Sequence, residues 1–423
     1  MADQRHLLLI PSAITSRSNL SSAYKSTLSA LLPKLVPSNR KSTTRLDIAI
    51  QTSHKPNAPR SSIFNHIQSI LQEYYTLVCL VAAELSIDLD LPGGLDVRII
   101  LLTESADDDS NPTSLSGPLI TLSTLASSLS LPIQTYFPES EPGIAMTKSF
   151  ETHYRQHHET SPSATHLPCG PSLSSPSSSQ PPPTSPTSPT THVHKSVAVG
   201  GTFDHLHIGH KLLLTCTLLP SSPFPTTPPR TITIGITDQD LLLNKKHASV
   251  LEPFPTRVAR TAEFIESVLS FTPNSSLSKV RTIEEIHNSG VNGRITRYTY
   301  TPLPPTTRQG LTKTELESSI IINYTLITDP FGPTITDPDI SAIVISAETR
   351  AGGKAVNDKR KEKGWKELEV FEVGVLDATP KKGEGAGEGM ELKEGFADKI
   401  SSTEIRRRLV EMDREGMERE GKL

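Results

Sequence analysis

Apolar residues along the chain fall into short runs of strand length separated by stretches with helical spacing, and this alternation occurs twice. In the first half, 6–11 and 45–51 are strand-like runs. Between them a Ser/Leu-rich stretch, 18–32, predicts a helix stopped by Pro33. Ile63, Phe64, Ile67, Ile70, Leu71, Tyr74, Val78 and Val81 recur at helical spacing and give one apolar stripe over 63–81. Residues 96–102 and 132–137 predict two more strands. Strands alternating with helices predict an α/β layer with parallel pairing. No catalytic motif lies in this half.

The second half repeats the pattern. Strands are predicted at 196–200, 231–236, 320–327, 342–346 and 367–375, with helices at 212–219, 256–271 and 402–412. Two stretches interrupt it, 273–319 and 378–399, and read as surface loops or disordered excursions. The expected fold is α/β: a doubly wound parallel sheet with its ligand crevice at the carboxyl ends of the strands, preceded by a smaller α/β region at 1–150. Between the two halves, 159–194 is dominated by Ser, Pro and Thr. Few apolar residues there offset chain entropy, which predicts a disordered linker, partly extended in polyproline fashion. The catalytic part is expected at 195–415.

Composition narrows the class. The chain has 423 residues, 35 of them Pro, and 35% hydrophobic residues, against about 45–50% for globular chains on a count that includes Gly. A net charge of −4 gives no sign of a nucleic-acid or anionic-membrane binder, and no apolar run has transmembrane length. Cys79, Cys169 and Cys216 share no metal-ligand spacing and cannot all pair, which suits a reducing compartment. No acidic residue stands between Asp3 and Asp47, a feature of mitochondrial transit segments, although 6–11 reads equally as a first strand. A cytoplasmic location is the default expectation, a mitochondrial one the alternative.

The chemistry concentrates in Gly200-Gly201-Thr202-Phe203-Asp204-His205-Leu206-His207-Ile208-Gly209-His210-Lys211, between a strand and an apolar helix. Glycines at the strand exit let a phosphate approach the backbone, and a helix N-terminus supplies free N–H donors and a favourable dipole. His207 and His210 stand three apart near the helix start, so their rings can converge on phosphoryl oxygens as charge builds at phosphorus. The plainer readings are a polar helix start or half of a zinc site. No Cys, Asp or Glu nearby has the spacing to complete such a site, and no metal ligand is assigned. Near the C-terminus, Ser401 is a candidate N-cap with Glu404 completing an S-x-x-E capping box. The hydroxyls, free N–H groups and Arg406 would then cradle phosphates.

These two segments resemble the signatures of the HxGH nucleotidyltransferase superfamily, which binds ATP or CTP in a Rossmann-like crevice. Within it the chain is most similar to the eukaryotic, fungal-type phosphopantetheine adenylyltransferases. The similarity runs through Gly235-Ile236-Thr237-Asp238 with Lys245-Lys246, through Asp329-Pro330-Phe331-Gly332-Pro333-Thr334, and through Ser346-Ala347-Glu348-Thr349 with Gly352-Gly353, Asn357 and Arg360. The resemblance implies transfer of AMP from ATP to 4'-phosphopantetheine with Mg²⁺, in coenzyme A synthesis. By position it implies that Thr202 orients the attacking phosphate, that His210 stabilises the transition state and that His207 helps hold the ATP phosphates. Gly200, Gly201, Phe203, Asp204 and Gly209 would line the nucleotide site, and Ser401, Ser402, Thr403 and Arg406 would grip the triphosphate. Lys245 or Lys246 would neutralise the acceptor phosphate.

Lys211 and Arg257 are further candidate phosphate ligands, against the plainer reading of solvated basic chains beside helices. Glu348 is a candidate substrate contact. Other superfamily acceptors are nicotinamide mononucleotide and FMN. Cytidylyltransferases usually carry an arginine where Ala397-Asp398-Lys399 stands. No G-x-x-x-x-G-K-[ST] segment is present, so a fused kinase is not expected. Nucleic-acid and membrane partners are not expected either. The N-terminal region is open to a docking role with other coenzyme A pathway enzymes.

Overall fold

The structure is a computed structural model that describes residues 5–37, 42–55, 58–91, 93–104, 117–129, 133–159, 161–171, 193–222, 226, 228–243, 245–269, 281–288, 291–301, 319–376 and 401–420. Most of the proposed linker and the 378–399 stretch lie outside these residues.

The first half forms a parallel sheet in the order β4-β3-β2-β1-β5-β6. Its strands are β1 (Arg5–Ile10), β2 (Thr44–Gln51), β3 (Leu95–Leu102), β4 (Leu119–Ile120), β5 (Ile133–Pro138) and β6 (Ser163–Leu167). Helices α1 (Arg17–Leu35), α2 (Arg60–Glu84), α3 (Leu122–Ser128) and α4 (Glu141–His157) connect them. Strand β6 falls inside the stretch expected to be unstructured; it pairs with β5 along Gln134↔Ser163 to Pro138↔Leu167. Helix α1 also departs from expectation, because Pro33 sits inside it. Pro33 has no N–H for the Ser29 carbonyl, and the helix runs only two residues past it, to Leu35. The stop comes instead at Val36, held extended (ψ 122°) before Pro37. Periodicity gives no sign of α4, but its N-terminus does: Ser140 accepts from the Gly143 N–H at 3.2 Å, and Pro142 follows in the first turn.

The second sheet runs β13-β12-β7-β8-β11-β10-β9. Five strands are parallel: β7 (Ser196–Gly201), β8 (Arg230–Thr237), β11 (Ile320–Ile327), β12 (Ala342–Ser346) and β13 (Glu369–Val373). The remaining two, β9 (Arg281–His287) and β10 (Arg294–Tyr300), form an antiparallel hairpin on the β11 edge. This hairpin lies in the 273–319 stretch expected to be loop, so part of that insertion extends the sheet. Helices α5 (Ile208–Leu218), α6 (Phe254–Leu269), α7 (Arg350–Glu362) and α8 (Ser402–Glu420) complete the domain. Strand order reverses between β7 and β12, and a doubly wound sheet opens its crevice at that point.

The two sheets share a core. One contiguous cluster of buried apolar side chains includes Leu8, Phe64, Tyr75 and Leu101 from the first half and Val199, Leu212, Ile234 and Phe371 from the second. Helix α2 is the reason. It is buried on most of its circumference, because its own sheet covers one side and the second domain covers another, with the Phe64 and Phe371 rings 4.8 Å apart. A helix that is apolar nearly all round belongs between two layers. Cys79 and Cys216 are buried, and all three cysteines are free. No helix among the described residues is long and apolar enough to cross a membrane.

Candidate active site

The segment after β7 turns sharply. Phe203 (φ 48°) and His205 (φ 45°) both occupy the left-handed region, a conformation that costs a bulky residue free energy and persists only when its surroundings impose it. The restraints are visible. Asp204 Oδ1 accepts from the Glu252 N–H at 2.9 Å, and Glu252 Oε2 accepts from the His205 N–H at 2.9 Å. The His205 ring reaches the Val250 carbonyl at 2.7 Å. Arg257 donates through Nη1 to the carbonyls of Thr202 and Thr237, both at 2.9 Å, and through Nε to Glu252 at 3.0 Å.

Beyond this turn His207 caps α5, its Nδ1 accepting from the Gly209 N–H at 3.2 Å. That bond leaves the proton on Nε2, which donates to Ser402 Oγ at 3.2 Å; the Ser402 hydroxyl in turn donates to the Asp204 carbonyl at 3.1 Å. Thus the first signature and the serine turn, 195 residues apart, are joined by hydrogen bonds. The His207 and His210 rings stack, centroids 3.9 Å apart at 27°. Both are held neutral at pH 7. Burial pushes His210 down to about 4, and burial together with His210, Lys211, His205 and Arg406 pushes His207 well below the ordinary value. The Nδ1 of His210 is buried with no hydrogen-bond partner.

A cleft of about 450 Å³ opens above these rings, lined by Gly200–Phe203, His207, Gly209 and His210, by Lys245, by Ser346, Glu348 and Thr349, by Val373–Leu376, and by Ser401–Thr403 with Arg406. It lies at the reversal in strand order. Gly200 shows why glycine stands at the strand exit: a Cβ there would meet nothing within 4 Å and would project into open space, occupying room that a ligand could use. A second cavity of about 290 Å³ shares Gly200, Gly201, Thr202 and Thr349 with the first and extends to Leu241, Ile327 and the Asp329–Thr334 loop.

The structure therefore brings most of the expected residues to one place and assigns several to different work. Asp204 is fully buried and both its carboxylate oxygens are engaged, one by the Glu252 N–H and the other by Arg406 Nη1 at 2.6 Å. Arg406 borders the cleft, but its other donors hold the Lys246 carbonyl (3.0 Å) and Thr403 Oγ1 (3.2 Å). Such a pair locks α8 to the loop, and these bonds use three of the five guanidinium N–H groups. Arg257, also fully buried, lines neither cavity; its bonds shape the Thr202 turn. Of the adjacent lysines, Lys245 lines the cleft, while Lys246 supplies only the carbonyl to Arg406. Lys211 points away from the cleft into the N-terminal half. Ser401 Oγ accepts from the Glu404 N–H at 3.3 Å, and the Glu404 carboxylate pairs with Arg407 and Arg408 (2.6 and 3.1 Å). Glu252 and Asp90 belong to the site's support and carry no motif that flags them, while His205, inside the first segment, shapes the turn with them.

Comparison with known proteins adds an independent line. A domain family of unknown function, DUF8446, matches residues 1–173. The phosphopantetheine adenylyltransferase of Saccharomyces cerevisiae is 30% identical over 212 residues, 50% of this chain and 48% of that protein. About half of this chain is similar to proteins of that name. The phosphopantetheine adenylyltransferase of Pyrobaculum aerophilum is 27% identical over 214 residues, 50% of this chain and 90% of that protein. An uncharacterised protein of Schizosaccharomyces pombe is 28% identical over 215 residues, 51% of this chain and 48% of its own length. The chain thus spans about half the length of the two fungal relatives.

Proposed function

We propose that this chain is a nucleotidyltransferase that joins AMP from ATP to 4'-phosphopantetheine. An oxygen of the acceptor phosphate attacks the α-phosphorus, the bridging bond to the β-phosphate breaks, and pyrophosphate leaves. No enzyme nucleophile takes part, so the protein contributes position and charge stabilisation. The observation that carries this reading is the stacked His207–His210 pair, joined to the serine turn through Ser402 and facing a single cleft.

In this reading ATP occupies the larger cleft, its phosphates near the start of α5 and Ser401–Thr403. A neutral His210 suits the role, since its one N–H can donate a hydrogen bond to an oxygen gaining negative charge without binding the ground-state triphosphate too tightly, while His207, whose N–H is given to Ser402, holds the serine turn beside it. Thr202 and Thr349, common to both cavities, stand where nucleotide and acceptor would meet. Lys245 would neutralise the attacking phosphate, and Glu348 is exposed at the rim to contact either substrate. The second cavity, with Leu241, Ile327 and Phe331 in its walls, suits the uncharged pantetheine arm. Among the described residues no group of three or more His, Cys, Asp or Glu is placed to hold a metal ion. In this reading Mg²⁺ would enter with the triphosphate, held by phosphate oxygens and waters.

The test is an acceptor panel. Full-length protein is given ATP with phosphopantetheine, nicotinamide mononucleotide or FMN, and CTP replaces ATP in a parallel set; pyrophosphate release is followed. Release with ATP and phosphopantetheine alone is expected. Turnover with another acceptor but not phosphopantetheine would overturn the acceptor, and no release with any pair would overturn the enzyme.

A further inference from the structure

The N-terminal half reaches three walls of the cleft from behind. Asp90, between α2 and β3, has a buried carboxylate on a left-handed backbone (φ 61°). Its Oδ2 accepts from the N–H of Ile208 at 2.8 Å, and Ile208 is the first residue of α5. The other Asp90 oxygen takes the Lys211 ammonium. Lys211 also donates to Asp96 Oδ1 at 2.6 Å and to the Val97 carbonyl at 3.3 Å, both in β3. Gln72 of α2 donates to the Val375 carbonyl at 2.7 Å, and Val375 lines the cleft. Asp88 meets Arg408 of α8 at 2.7 Å.

Helix α5 is thereby held at two points within its first turn, both through one carboxylate from the other domain. Lys211 follows His210 directly, about 100° further round the helix. Anchoring its ammonium in β3 fixes the rotation of α5 about its axis, while the Ile208 bond fixes the height of its first turn. His207 and His210 project from this same turn, and their stacking at 3.9 Å leaves little room for rotation. A displacement of about 1 Å in such groups can cost on the order of 100-fold in rate.

We propose that the N-terminal domain is a positioning element of the transfer site. Asp90, acting through the Ile208 N–H and Lys211, sets the rotation and height at which α5 presents His207 and His210. This role rests on the nucleotidyl-transfer reading above and gives a task to a domain that carries no catalytic motif of its own.

The test compares full-length Asp90→Ala, Asp90→Asn and the double variant Asp90→Asn/Lys211→Met with wild type, using ATP and phosphopantetheine. Asp90→Ala is expected to lower kcat about 30- to 100-fold while the KM for ATP stays within about threefold, since the cleft walls persist. Asp90→Asn keeps an acceptor for the Ile208 N–H and should recover about tenfold of that loss. Amide hydrogen exchange at 208–211 should quicken in Asp90→Ala and stay slow in β7 and β8. If Asp90→Ala does not fold, the double variant decides, because it leaves no unpaired buried ammonium; its kcat should fall about tenfold with its melting temperature nearly unchanged. Folded variants with wild-type kcat, or with unchanged exchange at 208–211, would overturn the proposal. If wild type itself shows no turnover, the transfer reading fails, and the exchange measurement still decides whether Asp90 holds the helix.

Discussion

His210 carries the clearest electrostatic signature at the site. The unfolded chain binds a proton on this residue near pH 6.5, whereas the folded chain resists protonation until about pH 4 because burial disfavours the imidazolium. The folded state therefore keeps this stability above about pH 6.5 and loses it as pH falls toward 4, by on the order of 3 kcal/mol from this side chain. Melting curves between pH 7 and 4.5 should show a shallower fall for His210→Gln than for wild type; equal slopes would mean that His210 titrates normally. The residue types of the site were legible in the chain, because His207, Gly209, His210 and Ser401–Thr403 stand in contiguous segments. Their division of labour was not. Asp204, Arg406 and Arg257 are polar residues in or near the candidate segments, and only their burial and hydrogen-bond partners reveal that they hold the loop. Nothing in sequence spacing distinguishes a guanidinium aimed at a ligand from one spent on carbonyls.

At the scale of elements, the hairpin β9–β10 is more than an appendage. Asn292, in its turn, has φ 59° and reaches the Asp329–Thr334 loop: Nδ2 donates to Asp329 Oδ2 at 2.7 Å, and Oδ1 accepts from the Thr328 N–H at 3.0 Å. Asp329 Oδ1 then accepts from the N–H groups of Phe331 and Gly332 (2.7 and 2.9 Å), setting the turn that walls the second cavity. Asn292→Gly keeps the backbone freedom and removes both bonds. It should cost about 1–3 kcal/mol, read from the urea midpoint, and raise the KM for the acceptor more than that for ATP. An unchanged acceptor KM would separate the hairpin from the site. An Asn-Gly pair is a hairpin signal in any chain, and Asn292-Gly293 was present to be read. The surrounding Pro- and Ser-rich composition masked it, as it masked β6. Of the five parallel strands of the second sheet, β7, β11 and β12 were visible as mainly apolar, mostly buried runs, while β8 and β13 showed as short alternating runs.

For the whole molecule, the Ser/Pro-rich linker separates the two halves in sequence but not in the fold. Helix α2 serves both layers, Arg98 of β3 lies 5.8 Å from the Phe264 ring of α6, and Lys211 is buried with its acidic partners in the other half. A fragment of 195–423 would expose Phe371 and Phe264, at roughly 1.5–3 kcal/mol for each fully uncovered side chain, and strand Lys211 without its partners, at about 3–5 kcal/mol if it stayed buried. Total stabilities of about 5–15 kcal/mol do not absorb such losses. The fragment should be insoluble or lack a cooperative melt, and co-expression with 1–171 should restore it. A soluble fragment with the full-length melting temperature would show that the halves fold independently. Sequence patterning could not foresee this dependence, because an apolar stripe does not say how many layers it serves.

The most direct measurement follows the α-phosphorus. Full-length protein is incubated with ATP labelled at the α-phosphate, phosphopantetheine and Mg²⁺, and the products are separated. The label should move into a dephospho-coenzyme A product with one unlabelled pyrophosphate released per transfer, and His210→Ala should slow this by several hundred-fold or more, on the scale of a lost charge-stabilising contact. Label that remains in ATP, or that appears only as free ADP or AMP, would contradict adenylyl transfer at this cleft, and transfer at an undiminished rate by His210→Ala would contradict the site.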